Sequence, residues 1–512
     1  MHNTDYIFDA IVIGSGPSGT VCAENLVKKK MKVLMIDYGL KQNKAISKNQ
    51  ELSGVPLKTC FGSTFAYDLS NKSNIYLKNV DSYPSLAKGG LSNVWGGVIL
   101  PYSKNEIENW PINYEDLAKY YPHIINTIGI SGTKDNLIED YPLFSSKLQK
   151  IKLSRQSTYL KNKLDKIQNQ LNSLGVKFGE ARLAMKSRIS SDFYKKNKSS
   201  KNWLKYNYEQ QYIFNSKILI DHLEKEKNFV YRNKLVAEKV IEGKSFVTVE
   251  CKNYEKKISY KAKRIFIGAG LYPTSKIILN SIDKKYFNNR KIKIRDSQYF
   301  LFPALLEKNF KGVSNENLHT LAQLIIQIKN TNIDKEMINL QIYSFNDHLI
   351  DFLKKKFSIF YPLFHKFFDN FIFGRIIFIQ GYLHSNSSNS AEIKINPINN
   401  SISVNEKKNK NTKKTIINLL KFLKINSKIL GFNPLSFMTR IGNFGRGFHS
   451  GGSFPMHKSR VGFRSDKWGR PLNFKRVHCI DASVLPSVSS ETITLTVMAN
   501  ALRIADNYKK IK

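Results

Sequence analysis

Cysteine is scarce in this sequence, acidic residues are few, and long apolar runs are missing. No run of about 18 or more apolar residues occurs, so no membrane-spanning helix is expected. The four cysteines, Cys22, Cys60, Cys251 and Cys479, are scattered. They form no Cys-x-x-Cys pair for a metal or an iron–sulfur cluster, and no Cys-x-x-Cys-His haem motif. Thiols so dispersed fit a reducing compartment, each as a small buried hydrophobe. Met1 to Asp9 is polar and acidic, unlike a signal peptide, and no twin-arginine motif occurs. The cytoplasm is therefore the expected location. No internal repeat is evident.

Against 40 Asp and Glu stand 81 Lys and Arg, a formal net charge of +41. Such an excess points toward nucleic acid or an anionic membrane. The basic residues are, however, spread in short runs: Lys28 to Lys30, Lys195 to Lys198, Lys354 to Lys356 and Lys407 to Lys414. Lysine, asparagine and isoleucine are abundant together, as an A/T-rich coding sequence produces. With no nucleic-acid-binding motif present, the charge reads as solvated faces with a nonspecific bias toward anionic surfaces. A chain of 512 residues with 41% hydrophobic and 12% aromatic residues can build a large core, which excludes a wholly disordered protein. Its length fits roughly two to four structural units.

The first forty residues carry a pattern. The apolar run Ile11 to Ile13 meets Gly14-Ser15-Gly16-Pro17-Ser18-Gly19, then a helical stretch from Thr20 to Lys30, then Val33 to Ile36 ending at Asp37. Gly14 permits a tight turn, Gly16 lets the backbone approach a pyrophosphate, and Gly19 lets the helix pack on the strand. The helix N-terminus offers N–H donors to phosphates. Asp37 stands where a carboxylate accepts ribose hydroxyls. The pattern predicts a dinucleotide site but does not separate FAD from NAD.

Toward the other end, Gly442 to Gly452 has five glycines in eleven residues and holds His449 and Arg446. The backbone there must approach something closely or adopt positive φ. Arg476 to Ile480 reads as a strand leading into Asp481-Ala482-Ser-Val-Leu-Pro486. Thr492 to Asp506 reads as a helix whose opening threonines suit capping.

These segments resemble the glucose–methanol–choline (GMC) flavoprotein oxidoreductases. The resemblance is carried by Gly14 to Gly19, by Lys88-Gly89-Gly90-Leu-Ser92-Asn93-Val-Trp95-Gly-Gly97 and by Trp110-Pro111. Gly268-Ala269-Gly270, His449 to Met456 and Asp481 to Pro486 complete it. They span both ends of the chain in the family's order, whereas about 130 to 215 and 290 to 440 carry little of it. The resemblance implies an α/β protein. The resemblance implies a Rossmann-like FAD-binding domain built from separated segments, 1–130, 216–290 and 440–512, and an α+β substrate domain with an antiparallel sheet over 131–215 and 291–439. It also implies FAD rather than NAD. Asp481 would bond the ribityl or pyrophosphate region, Gly89 to Gly97 would line the flavin, and the helix opening at Thr492 and Thr494 would face its pyrimidine edge.

In that family an alcohol is oxidised by a histidine base and hydride transfer to flavin N5, which assigns the base to His449. A second His or Asn usually stands eleven residues after the Asp. Here that position is Thr492, which can hydrogen-bond a substrate hydroxyl but cannot act as a base. Some relatives link FAD to a histidine before the tryptophan of the glycine loop. Here Val94 stands there, so noncovalent FAD is expected. His457 reads as a surface or supporting residue, His478 as packed on its strand, and Asn500 as satisfying backbone groups. Arg446 reads equally as an anion partner and as half of a structural salt bridge.

Between the motifs, 115–122 and 156–174 look helical, and a charged connector leads into a helix to about Leu430. Phe229 to Tyr231, Val236 to Glu242, Ser245 to Val249 and Arg264 to Ile267 look like strands. Leu321 to Ile328, Ile338 to Phe345, Ile376 to Leu383 and a hairpin over Ala391 to Asn405 read together as the substrate domain's antiparallel sheet. From Phe352 to Tyr382 there are eleven aromatics in 31 residues. That stripe is either buried or, over 352–371, a peripheral membrane contact. The expected substrate is a small-molecule or lipid-linked alcohol such as a sugar or polyol. The electron acceptor (oxygen, a quinone or a carrier) is not legible. Oxidation of a sterol or isoprenoid-type lipid and a non-catalytic flavin-stabilised binding protein are the alternatives. A specific nucleic-acid partner is not expected.

Overall fold

The strand Ile7–Ile13 is apolar at every position after Asp9, and its last four residues are buried. Such a run suits the middle of a parallel sheet covered on both faces. It feeds the helix Pro17–Lys28, which returns the chain to the parallel strand Val33–Ile36. Phe229–Arg232 extends this sheet on one side, again in parallel. The computed structural model describes residues 6–41, 51–52, 55–56, 64–186, 212–253, 256–283, 291–313, 316, 318–344, 367, 371–396 and 398–508.

The long strand Lys256–Ile267 has two characters. Its first half pairs antiparallel with Val247–Asn253, whose other edge pairs with Val236–Glu242. Its second half runs parallel to Ile7–Ile13 and to Val477–Cys479. Segments distant in the chain thus meet on one strand, with Ile267 between Ile13 and Cys479. The helix Ile493–Asp506 packs along Pro17–Lys28, and Lys29 Nζ pins its end to Asp506 Oδ1 at 2.7 Å.

A second sheet is antiparallel. Its order is Phe432–Pro434, Tyr299–Leu306, Ile376–Tyr382, Ile338–Ser344, Leu324–Ile328 and Val176–Glu180, with Arg440–Ile441 beside Tyr299–Leu306. Side chains alternate across it. Phe300, Phe302, Ile326, Leu340 and Ile379 form a core with Leu160, Leu164 and Leu419 from the helices Arg155–Asp165 and Lys410–Ile425. Tyr299, Gln341, Gln380 and Tyr382 occupy the alternate positions, facing the other layer. The helical expectations for 115–122 and 156–174 correspond to Tyr114–Ala118, Tyr121–Ile128, Arg155–Asp165 and Gln168–Ser173.

One expectation for the sheet requires correction. The hairpin Ser390–Ile395 and Ile402–Lys407 forms, but not in the second, antiparallel sheet. It joins a separate five-stranded sheet with Ile292–Asp296, Ser450–Gly451 and Ile75–Lys78. Its inward residues Ala391, Ile393, Ile402 and Val404 enter the same core as the parallel sheet. The reason lies in its pattern. The hairpin alternates buried and partly exposed positions, whereas Ile338–Ser344 is buried at six of seven positions. A one-faced hairpin can close a core from outside; a two-faced strand must lie between layers.

The aromatic segment 352–371 lies outside the described residues apart from Phe367 and Phe371. These are 53% and 61% exposed, with ring centroids 5.2 Å apart. No described helix is long and apolar enough to cross a membrane.

Within the antiparallel sheet, Phe300 lies across Gly381, its register partner. A β-carbon at Gly381 would stand 2.0 Å from the Phe300 ring. Gly381→Ala is therefore expected to destabilise by about 1–3 kcal/mol through overpacking, read as a lower urea midpoint with an unchanged slope.

Candidate active site

Two glycine turns leave adjacent strands side by side and touch. Gly14 has φ +97°, and a β-carbon there would lie 2.4 Å from the Gly268 carbonyl oxygen. A β-carbon at Gly19 would lie 2.0 Å from the Gly14 carbonyl oxygen. Gly16 and Gly270 behave differently: each has open space where a side chain would begin. Both line a cavity of about 550 Å³, together with Pro17, Ser18, Gly268 and Ala269. No side chain caps the helix that starts at Pro17.

Asp37 stands at the rim of this cradle. Its Oδ2 accepts from the Ser15 hydroxyl and from the Tyr231 hydroxyl at 3.0 Å. Burial pushes its carboxyl up to about 6, against the pull of those donors. Ser15 Oγ also accepts from Gly89 N at 2.9 Å. One hydroxyl thus ties the first glycine turn, the acid and the second glycine loop together.

That second loop contains the 3₁₀ turn Gly90–Asn93. A β-carbon at Gly90 would stand 3.2 Å from Gly16 Cα. Gly90, Ser92, Val94 and Trp95 line the cavity, and Trp95 is fixed by its indole N–H on the Phe214 carbonyl at 2.8 Å. Gly19, Gly89 and Asn93 do not line it. Asn93 instead donates to the Lys88 and Gly90 carbonyls at 3.0 and 2.7 Å, holding the turn from behind. Gly89, at φ +91°, leaves room for Asn215.

Asp481 lines the cavity but spends its oxygens on the protein. Oδ2 accepts from Gly270 N at 2.8 Å and from the Thr274 hydroxyl, and Oδ1 from Ser483 N at 2.9 Å. It locks the third glycine turn to the segment Ala482–Val484. Ala482, Thr492 and Thr494 also face the cavity. The capping expected of the opening threonines is not seen at Thr492. Its Oγ1 accepts from Leu100 N at 3.0 Å, so the first turn of Ile493–Asp506 has no side-chain cap. The neighbouring chain at Leu100 has the stronger claim because its N–H would otherwise be buried without an acceptor.

At the antiparallel sheet, His449 enters the same cavity. Its ring lies 5.0 Å from that of Tyr382, which meets Tyr299 edge-on at 5.8 Å. The loop is shaped by Gly445 and Phe448, with φ of +83° and +57°. It is anchored by Asp296, which accepts from Gly445 N at 2.9 Å and the Ser450 hydroxyl at 2.7 Å. Burial lifts the Asp296 carboxyl to about 7.

Of the remaining sequence candidates Arg446 lines the cavity, while His457, His478 and Asn500 do not. His457 is exposed, its Nδ1 3.2 Å from Arg464. His478 is buried, stacks on Phe266 at 5.1 Å, and burial lowers its pKa to about 4. Asn500 holds the Arg503 side chain at 2.9 and 3.1 Å rather than backbone groups. Ser15, Tyr231, Asp296, Gln341, Gln380 and Tyr382 were not anticipated. Two of them had a signal: Ser15 sits inside the glycine motif, and Asp296 takes the inward position after Ile292 and Ile294.

No family model and no curated protein sequence matches the chain. Solved structures do. Pyridoxine 4-oxidase from Mesorbium loti superposes with a TM-score of 0.61 at 11% identity, over 98% of this chain and 99% of that one. Formate oxidase from Aspergillus oryzae RIB40, an arginine-to-alanine variant made to follow FAD modification, gives 0.61 at 12% identity over the whole of both chains. The chain shares their fold end to end.

Glu491, just ahead of Thr492, is fully buried and accepts from the Ser489 hydroxyl. Burial raises its carboxyl from 4.5 to about 8. The folded state therefore holds this proton more tightly than the unfolded chain does. Its stability contribution is lost as pH climbs from about 4.5 to about 8. Glu491→Gln, which keeps the neutral shape, is expected to flatten that decline. Its Tm should gain on the parent's as pH rises across the window.

Proposed function

We propose that this chain is an FAD-dependent oxidoreductase acting on CH–OH groups, with His449 as the base. One observation carries the reading: His449 and the nucleotide cradle open into one cavity. The residues present fit the cofactor. Gly16 and Gly270 leave space that β-carbons would fill, the helix at Pro17 is uncapped for phosphates, and Asp37 offers acceptor oxygens at the distance along the chain that ribose recognition needs. Val94, where a linking histidine would stand, supports noncovalent attachment. The shared fold with pyridoxine 4-oxidase and formate oxidase, and the resemblance to GMC oxidoreductases, point the same way.

A bound FAD supplies a two-electron acceptor for the hydride of the substrate carbon. The protein's part is positioning and proton removal. An imidazole nitrogen of His449 takes the hydroxyl proton, and the Tyr382 ring holds the plane of the imidazole. Asp296 keeps the loop in register through Gly445 and Ser450. The N-terminal turn of Ile493–Asp506 brings the positive end of a fourteen-residue helix to the cavity, which favours negative charge there. Thr492, committed to Leu100, acts as a wall and not as a second base. Gln341 and Gln380 in the wall favour a polar alcohol over a sterol-type lipid.

The purified protein is expected to show oxidised-flavin absorption that survives gel filtration and is released by acid. A colourless protein that FAD cannot reconstitute would overturn the reading. Among variants, His449→Ala should keep the flavin bands and slow their anaerobic bleaching by alcohols about 10²–10⁴-fold. Asp37→Ala removes a charged acceptor worth about 1.5–3 kcal/mol, so FAD should dissociate about 10- to 100-fold more readily in equilibrium dialysis.

A further inference from the structure

Proton removal makes no use of three side chains that line the cavity, Arg446, Gln341 and Gln380. Arg446 is 8% exposed and precedes His449 by three residues. Among the described residues lining the cavity, it is the one lysine or arginine. The carboxylates of the lining, Asp37 and Asp481, belong to the nucleotide end, where Ser15, Tyr231, Gly270 and Thr274 hold them. At the sheet end the Arg446 guanidinium sits 5.5 Å from the Tyr299 ring centre. Its charge favours the ionised forms of Tyr67, Tyr299 and Tyr382, so its positive field extends across this part of the chamber. Buried walls screen such a field weakly.

The two glutamines add to it. Gln341 and Gln380 are direct register partners on adjacent strands. The Tyr343 hydroxyl donates to Gln341 Oε1 at 3.0 Å, and the Tyr382 hydroxyl to Gln380 Oε1 at 3.3 Å. With the carbonyl side of each amide engaged, its NH₂ serves as the donor. This part of the wall is thus rich in donors and positive in charge, the complement of an anion and not of a neutral alkyl group.

We propose that the site selects alcohols that also carry an anionic group, a carboxylate or a phosphate, with Arg446 as the specificity-determining residue. The amides of Gln341 and Gln380 support it. This rests on the reading of the cavity as an alcohol-oxidising site. A planar guanidinium binds either anion through paired N–H donors, which a lysine ammonium cannot reproduce.

The test uses flavin-loaded protein and one carbon skeleton in three forms: glycerol, glycerate and glycerol 3-phosphate. In parallel, malonate and inorganic phosphate are titrated while Tm and flavin absorption are followed, which requires no turnover. The expected results are at least a tenfold higher kcat/KM for a charged form than for glycerol, and saturable shifts with the matching anion. The larger response identifies carboxylate or phosphate as the natural group. Arg446→Gln should reduce the charged-to-neutral ratio at least tenfold and abolish the saturable shifts, with Arg446→Lys between. Gln380→Leu should lower the ratio more mildly, which covers the case in which the arginine variants fail to fold. Preference for glycerol, or anion shifts that persist in Arg446→Gln as surface binding would, overturns the proposal. If no alcohol bleaches the flavin but the Arg446-dependent shift is present, the alcohol reading falls and the anion site stands. If neither is present, both fall.

Discussion

A backbone contact with no room for a β-carbon sets the geometry of this protein. Gly14 meets the carbonyl of Gly268, and Gly19 meets that of Gly14. These contacts bring together the ends of two parallel strands and the start of a helix. The ends converge because their strands are parallel neighbours, and the open positions at Gly16 and Gly270 follow from that convergence. Any side chain at Gly14 or Gly19 would separate strand from strand or helix from strand, and the cradle would lose its floor.

Buried carboxylates act as the fasteners. Asp296, Asp481 and Glu491 are buried and Asp37 is partly so, and burial raises the pKa of each. Asp481 joins a glycine turn to the segment ahead of the terminal helix, and Asp296 joins a strand of the five-stranded sheet to the histidine loop. Burying such groups is costly, and it is offset only where backbone N–H groups or hydroxyls satisfy them. They therefore occur where loops without regular structure must be held to a fixed shape.

The sequence disclosed most where backbone geometry demands a particular residue. Gly14 and Gly19 could be read because no side chain fits at either position, Gly270 because its segment resembles the family's, and Asp37 because it follows at a fixed distance. His449 stood out because glycines surround it. The wall of Tyr299, Gln341, Gln380 and Tyr382 was not legible. Those residues lie on three strands, and only cross-strand register makes them neighbours. Thr492 was read as a cap from its position, but the N–H of Leu100, nearly four hundred residues away in sequence, claims its hydroxyl. The hairpin over Ser390–Lys407 was correctly shaped and wrongly placed. A hairpin's turn specifies its own pairing but not the sheet that receives its edge.

The strand Lys256–Ile267 has a consequence for how the molecule is made. Its amino-terminal half finds an antiparallel partner a few residues upstream, a local and rapid closure. Its carboxyl-terminal half waits for Val477–Cys479, which emerges from the ribosome more than two hundred residues later. Until then Ile265 to Ile267 have one open edge, and the cradle lacks Asp481 and the terminal helix. During synthesis the chain would carry a half-built cradle, so tight binding of the proposed cofactor would report that the last segments have docked.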